Sequence, residues 1–112
     1  MEFKILQLKN TPETREYRFS DLAYLSECGL TVQRKNYEVT YDGIISRQGS
    51  HMDILERLYM IFNVNRPKDF HGHSMSVSDV VILKDAAGSV AYYCDSVGFE
   101  KIAFPQDDTE TM

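Results

Sequence analysis

Tryptophan is absent from the 112 residues, cysteine occurs twice and proline three times. Two cysteines are too few for a disulfide scaffold, and no second His/Cys pair stands at metal-ligand spacing. Cys28 and Cys94 are therefore read as reduced core thiols of a cytoplasmic protein. No apolar run approaches the ~20 residues that a membrane helix requires. The start, Met1-Glu2-Phe3-Lys4, lacks the basic-then-apolar order of a signal peptide. Neither a membrane nor an export route is expected.

A basic stripe is also missing. Lys and Arg number 12 against 17 Asp and Glu. A protein that grips a duplex must displace counterions from phosphates with clustered cations. Arg34-Lys35 and Arg66/Lys68 are small pairs only, so nucleic acid is disfavoured as a partner. Mimicry of nucleic acid is no better supported. Residues 1–68 carry 9 acids and 10 bases, residues 69–112 carry 8 and 2, and this acidity is too diluted to imitate a phosphate ladder.

What is present is a core. Hydrophobic residues make up 43%, with 7 Tyr and 6 Phe, which suits one domain that folds without staples. Phe3 to Leu8 reads as a strand. Thr11-Pro12-Glu13 starts a short helical turn, with Pro at the first helical position. Ser20 is read as the cap of a helix carrying Leu22, Leu25 and Cys28, stopped by Gly29. In Tyr37 to Gly43 the residues alternate, so Tyr37, Val39 and Tyr41 are expected on one buried face. Ser50 and Asp53 form a capping box before the best helix, whose stripe is Ile54, Leu55, Leu58, Ile61 and Phe62. After a loop over 63–75, Val77 to Lys84 contains the run Val80-Val81-Ile82-Leu83, expected as a central strand covered on both faces. Turns at 85–88 and 95–98 separate it from strands at 90–94 and 99–104. The order predicts an α+β fold: a mostly antiparallel sheet of four to five strands, with two main helices on one face. One domain is expected over 1–104, followed by an acidic disordered tail over 105–112.

The densest chemistry lies in His71-Gly72-His73-Ser74-Met75-Ser76-Val77-Ser78-Asp79. His71 and His73, two apart, face the same way on an extended chain. Zinc needs three or four ligands, which Asp69, Asp79, Asp95 or His51 would have to complete. A hydrolase would use a serine with a histidine and Asp79 or Asp95. It also needs an oxyanion hole, and no G-x-S-x-G elbow occurs. The economical reading is structural. Ser74, Ser76, Ser78 and Asp79 bond backbone groups and tie the loop to the sheet where the strand starts, with the serines on the side of Val80 and Ile82. No metal and no cofactor are expected.

One family pattern covers most of the chain. It comprises Ile5-Leu6-Gln7-Leu8, Tyr37-Glu38-Val39-Thr40-Tyr41-Asp42-Gly43, Phe62-Asn63, Arg66-Pro67-Lys68-Asp69-Phe70, Gly72, Ser74-Met75-Ser76-Val77-Ser78-Asp79-Val80-Val81 and Tyr92-Tyr93-Cys94-Asp95-Ser96-Val97-Gly98-Phe99. Over roughly residues 3–104 this succession resembles the YodL-like domain of Gram-positive bacteria and their mobile elements. The resemblance implies an accessory or interaction module that binds other proteins, with no settled enzymatic activity to carry over. His71 falls outside the residues that carry it, which weakens a ligand role further.

The favoured expectation is a cytoplasmic protein-binding domain that works through the loop 63–75, because loops on a rigid sheet concentrate function. Arg66, Lys68, Asp69, Phe70, His71 and His73 are its candidate contacts. Phe70 is either an apolar anchor or, slightly preferred, a plug folded under the loop. Asp95 and Gly98 join Ser74, Ser76, Ser78 and Asp79 as structural residues. Two alternatives stand beside this: an enzyme, metal-dependent or hydrolytic, using His71, His73 and Asp79, and a nucleic-acid accessory factor of a mobile element. The oligomeric state is left open.

Overall fold

A computed structural model describes residues 1–104. The expected acidic tail at 105–112 lies outside the described residues. Strands β1 (Glu2–Leu8), β2 (Tyr37–Ile44), β3 (Val80–Asp85), β4 (Gly88–Cys94) and β5 (Phe99–Ile102) form one sheet in the order β2-β1-β3-β4-β5. Every neighbouring pair is antiparallel. The fold is α+β, as the element order predicts. β3 occupies the middle of the sheet, and Val80, Val81, Ile82 and Leu83 are all buried. β2 and β3 both oppose β1 and so run parallel to each other. The chain between them crosses the sheet through a helix, α2 (His51–Val64).

The registers sort side chains into two layers. Phe3, Ile5, Val81, Leu83 and Tyr92 share one face and meet Ile54, Leu55, Leu58 and Phe62 of α2. Leu6, Val80, Ile82, Ala91 and Tyr93 share the other. They meet Leu25 of α1 (Leu22–Glu27), with Leu22, Tyr17, Leu30 and Val32 around it. The two helices therefore cover opposite faces, which corrects the expectation that both lie on one. The reason is in the strands. Ile5-Leu6 and the β3 run are apolar on both sides of the pleat, and each side needs its own cover.

Alternation also fails in β2. Ile5 pairs with Tyr41 but Leu6 pairs with Val39, which leaves Thr40 as an extra residue. The Thr40 hydroxyl donates to the Ile5 carbonyl at 3.2 Å. Such a bulge reverses which way the following side chains point. Tyr37 packs in the α1-side layer, whereas Tyr41 stacks on Phe3 at 6.0 Å in the α2-side layer. Tyr37, Val39 and Tyr41 thus do not share a face.

The helix ends follow local chemistry. Pro12–Tyr17 is a 3-10 helix starting where Thr11-Pro12 predicts. Ser50 accepts from the Asp53 N–H at 3.1 Å, and Asp53 accepts from the Ser50 N–H at 2.9 Å, which is the expected capping box. The cap of α1 is Asp21, not Ser20; its carboxylate accepts from the Tyr24 N–H at 2.8 Å. α1 has only six residues, so its apolar stripe ends at Leu25 and Cys28 falls at the C-cap. Cys28 is exposed and Cys94 buried, so only the latter is the core thiol expected.

Burying a Leu or Ile side chain contributes about 1.5–3 kcal/mol, and α2 supplies four fully enclosed side chains. Leu58→Ala is expected to lower stability by about 3 kcal/mol through the cavity it leaves. Met60→Ala, two residues on and exposed, should stay within about 0.5 kcal/mol of the parent. Urea midpoints of the two variants, compared directly, check the assignment of the two helix faces.

Candidate functional site

The chain between α2 and β3 has no helix or strand of its own, and its side chains divide sharply. Phe70 turns inward, with its ring 4.9 Å from Phe62 and 6.1 Å from Tyr41. It is a core plug, so it is not free to anchor a partner. Arg66, Lys68, Asp69 and His71 are exposed. His73 points back toward the sheet end, where four segments converge on Asp79.

Asp79 is 1% exposed. Gln7, buried at the end of β1, donates its amide Nε2 to Asp79 Oδ2 at 3.0 Å and to the His73 carbonyl at 2.9 Å. The Ser76 N–H donates to the same Oδ2 at 2.9 Å. Asp79 Oδ1 faces His73 Nε2 at 3.9 Å. His73 Nδ1 lies 2.7 Å from the Ser74 carbonyl. A carbonyl can only accept, so Nδ1 carries a hydrogen. At 3.9 Å the approach of Nε2 to Oδ1 is an electrostatic contact and not a hydrogen bond. Burial raises the Asp79 carboxyl to about 6, against the opposing pull of Gln7, Ser76 and His73.

Close approach makes this possible. A Cβ at Gly72 would collide with Gln7 Oε1, so the loop can lie over Gln7 only because Gly72 has no side chain. Gln7 Oε1 itself is buried without a partner. Turning the amide over would set its oxygen against the His73 carbonyl and the Asp79 carboxylate.

The backbone around Asp79 is strained and tied. Ser78 has φ +90 and Phe19 has φ +58, the two non-glycine residues with positive φ among the described residues. They are bonded to each other: the Phe19 N–H donates to Ser78 Oγ at 3.2 Å. The Tyr37 hydroxyl donates to the Ser78 carbonyl at 2.6 Å. The Ser78 N–H donates to the Cys94 carbonyl, and the Cys94 N–H to the Asp79 carbonyl. A side chain in this region of φ costs on the order of 1–3 kcal/mol. Phe19 is nonetheless 59% exposed. Its ring is edge-on to the His73 imidazole at 6.4 Å, with the Arg18 guanidinium 5.3 Å from its centroid.

The serines act as ties, though not in the expected geometry. β3 begins at Val80, after a turn at residues 77–78, so Ser74, Ser76 and Ser78 do not extend the face of Val80 and Ile82. Ser76 Oγ donates to the Ser74 carbonyl at 2.7 Å. Asp95 accepts from the Leu22 N–H at 3.2 Å and from the Ser96 N–H at 2.9 Å, and Gly98, at φ +72, closes the β4–β5 turn. Tyr93 OH donates to the Ser20 carbonyl at 2.6 Å. The end of β4 thus holds the start of α1.

Of the set His71, His73 and Asp79, only the last two come together. His51 is taken up by the Tyr92 hydroxyl at 2.7 Å. Among the described residues no three His, Cys, Asp or Glu side chains converge as a metal site would require. Burial pushes the Cys94 thiol up to about 12, so it carries its proton at neutral pH. Sequence reasoning missed Gln7 and Phe19. The signal for Gln7 was available: an amide inside an apolar strand, between Leu6 and Leu8, must find partners when buried.

The YodL-like domain family model matches residues 2–104. No curated protein and no solved structure matches the chain.

The raised carboxyl sets a pH dependence. Asp79 is held near 6 when folded, against about 3.9 when unfolded. Between those values the folded state binds more protons, so stability falls as pH rises through that window and is flat above it. Urea midpoints at pH 4.5, 5.5 and 7 should fall with pH in the parent. Asp79→Asn should lose most of that slope. An unchanged slope would mean that another group titrates.

Proposed function

The chain belongs to the YodL-like domain family, and from that premise we propose that it is a cytoplasmic protein-binding module that acts without catalysis or cofactor. Its contact face centres on Phe19 and His73, with Arg18 beside them. Arg66, Lys68 and His71, exposed on the following loop, contribute charge at the margin. The observation that carries this is Phe19. A large aromatic is held outward on a strained backbone, fixed by a hydrogen bond from a segment 59 residues away. A positive φ at a bulky residue costs folding stability, whereas an exposed aromatic next to a cation is the composition of binding hot spots. Two free thiols suit a reducing compartment. No helix among the described residues is long and apolar enough to cross a membrane.

A second reading, acid–base chemistry, has the His73–Asp79 pair in its favour. It needs a nucleophile or bound water at that pair, and the Ser76 and Ser78 hydroxyls are already engaged with main-chain groups.

The test is photo-cross-linking in lysate of the native host, with the cross-linker at position 19 and, as a control, at position 84 on β3. One protein captured from position 19 alone is the expected result. Phe19→Gly should abolish its co-purification while leaving stability unchanged or raised by up to about 1 kcal/mol, because Gly takes positive φ without strain. A fall in stability of about 2 kcal/mol or more would make Phe19 a structural residue instead. Identical capture from both positions would remove the face.

A further inference from the structure

The outer side of α2 is not the polar face that a surface helix normally turns to solvent. Met52, Glu56, Tyr59 and Met60 share one helix face, away from the side chains that fill the core. Met52, Tyr59 and Met60 are all exposed, Met60 at 63%. Phe99 of β5 stands edge-on to Tyr59 at 6.4 Å and forms the opposite wall. The β4–β5 turn, with Asp95, closes one end of a groove of about 390 Å³. Val97, at the tip of that turn, is 90% exposed. The groove is apolar in its walls and acidic in its lining. Glu56 and Asp95 line it, no Lys or Arg does, and among the described residues neither carboxylate has an ion-pair partner.

That charge pattern selects the occupant. A second copy docked face to face would bring Glu56 and Asp95 against their own equivalents, and like charges brought together repel. An anionic lipid surface meets the same repulsion. We propose that the groove binds a segment of another protein that presents apolar side chains with Lys or Arg beside them. The apolar side chains cover Met52, Tyr59 and Met60, and the cations sit at Glu56 and Asp95. This surface lies on the α2 side of the sheet, and its lining includes neither Phe19 nor His73.

The test uses two synthetic peptides of equal length with leucine at the same positions, one filled in with lysine and the other with glutamate. Each is titrated into isotope-labelled protein and followed by NMR. The lysine peptide is expected to shift resonances of Met52, Tyr59, Met60 and Val97, with a Kd below about 1 mM, and the glutamate peptide to leave them in place. Glu56→Lys should weaken the lysine peptide about fivefold or more, and added salt should weaken it in the parent. Met60→Ala should weaken it with the fold intact. Equal binding of both peptides, or shifts scattered away from the groove, would overturn the proposal. So would concentration-dependent shifts of the same residues without peptide, because they would show a second copy seated there.

Discussion

A carboxyl group sealed from water at the start of β3 constrains everything around it. A buried charge without partners is not tolerated, so Asp79 must be surrounded by donors, and those donors come from distant parts of the chain. Gln7 arrives from β1 and the Ser76 N–H from the loop, with His73 facing the other oxygen, while the Cys94 N–H of β4 holds the Asp79 main-chain carbonyl. Two buried phenols clamp the same corner. Tyr37 reaches the Ser78 carbonyl and Tyr93 reaches the Ser20 carbonyl, both at 2.6 Å. Burial holds both hydroxyls well above their ordinary pKa, so they remain donors at any physiological pH. The sheet end, the loop and the start of α1 are therefore one polar assembly, and the two apolar layers are built out from it.

Much of this fold is legible in the sequence because its causes are local. The Val80–Leu83 run marks the central strand, Ser50 with Asp53 marks the start of α2, and Asp95 to Gly98 marks a turn. The serines of the 74–78 stretch are legible as ties. Two errors have physical sources, and one of the two was readable. A strand apolar on both sides demands cover on both sides, so helices on one face contradict the β3 run itself. The bulge at Thr40 was not readable, because alternation in Tyr37 to Gly43 looks perfect until the partner strand fixes the register. The candidate site was half legible. His73 and Asp79 stand out as neighbours, but Gln7 meets Asp79 across 72 residues. Nothing near Phe19 announces a positive φ, and the Ser78 hydroxyl that its N–H meets lies 59 residues away. Phe70 was legible only as two options, and packing against Phe62 and Tyr41 decides between them.

His73 illustrates why position and role separate. It is an exposed loop residue by sequence and a 44% exposed side chain in the structure, which fits a contact surface. It is also the group that faces the free oxygen of Asp79. Removing it would strip a partner from a buried carboxyl as well as trim the surface, so loss of binding in such a variant could not be assigned to contact alone. Phe19 has no such double duty: its ring meets the His73 imidazole edge-on and the Arg18 guanidinium, and neither contact is to Asp79.

The costs in this molecule are not spread evenly. An acceptor left unpaired at Gln7 Oε1 costs on the order of 1–3 kcal/mol. Two positive-φ side chains, a buried carboxyl and an exposed phenylalanine add to it within one corner. The α2-side core, by contrast, is built from Ile54, Leu55, Leu58 and Phe62, and among the described residues the unpaired buried atom on that helix is Asn63 Oδ1. Simpler solutions for stability exist at each position: glycine at 19, or an apolar side chain at 79 facing one at 7. A fold that concentrates its violations while keeping the rest consistent is using stable packing to hold an arrangement that stability alone would not select. The product of that arrangement is an aromatic ring exposed to solvent beside an imidazole that faces a buried carboxyl.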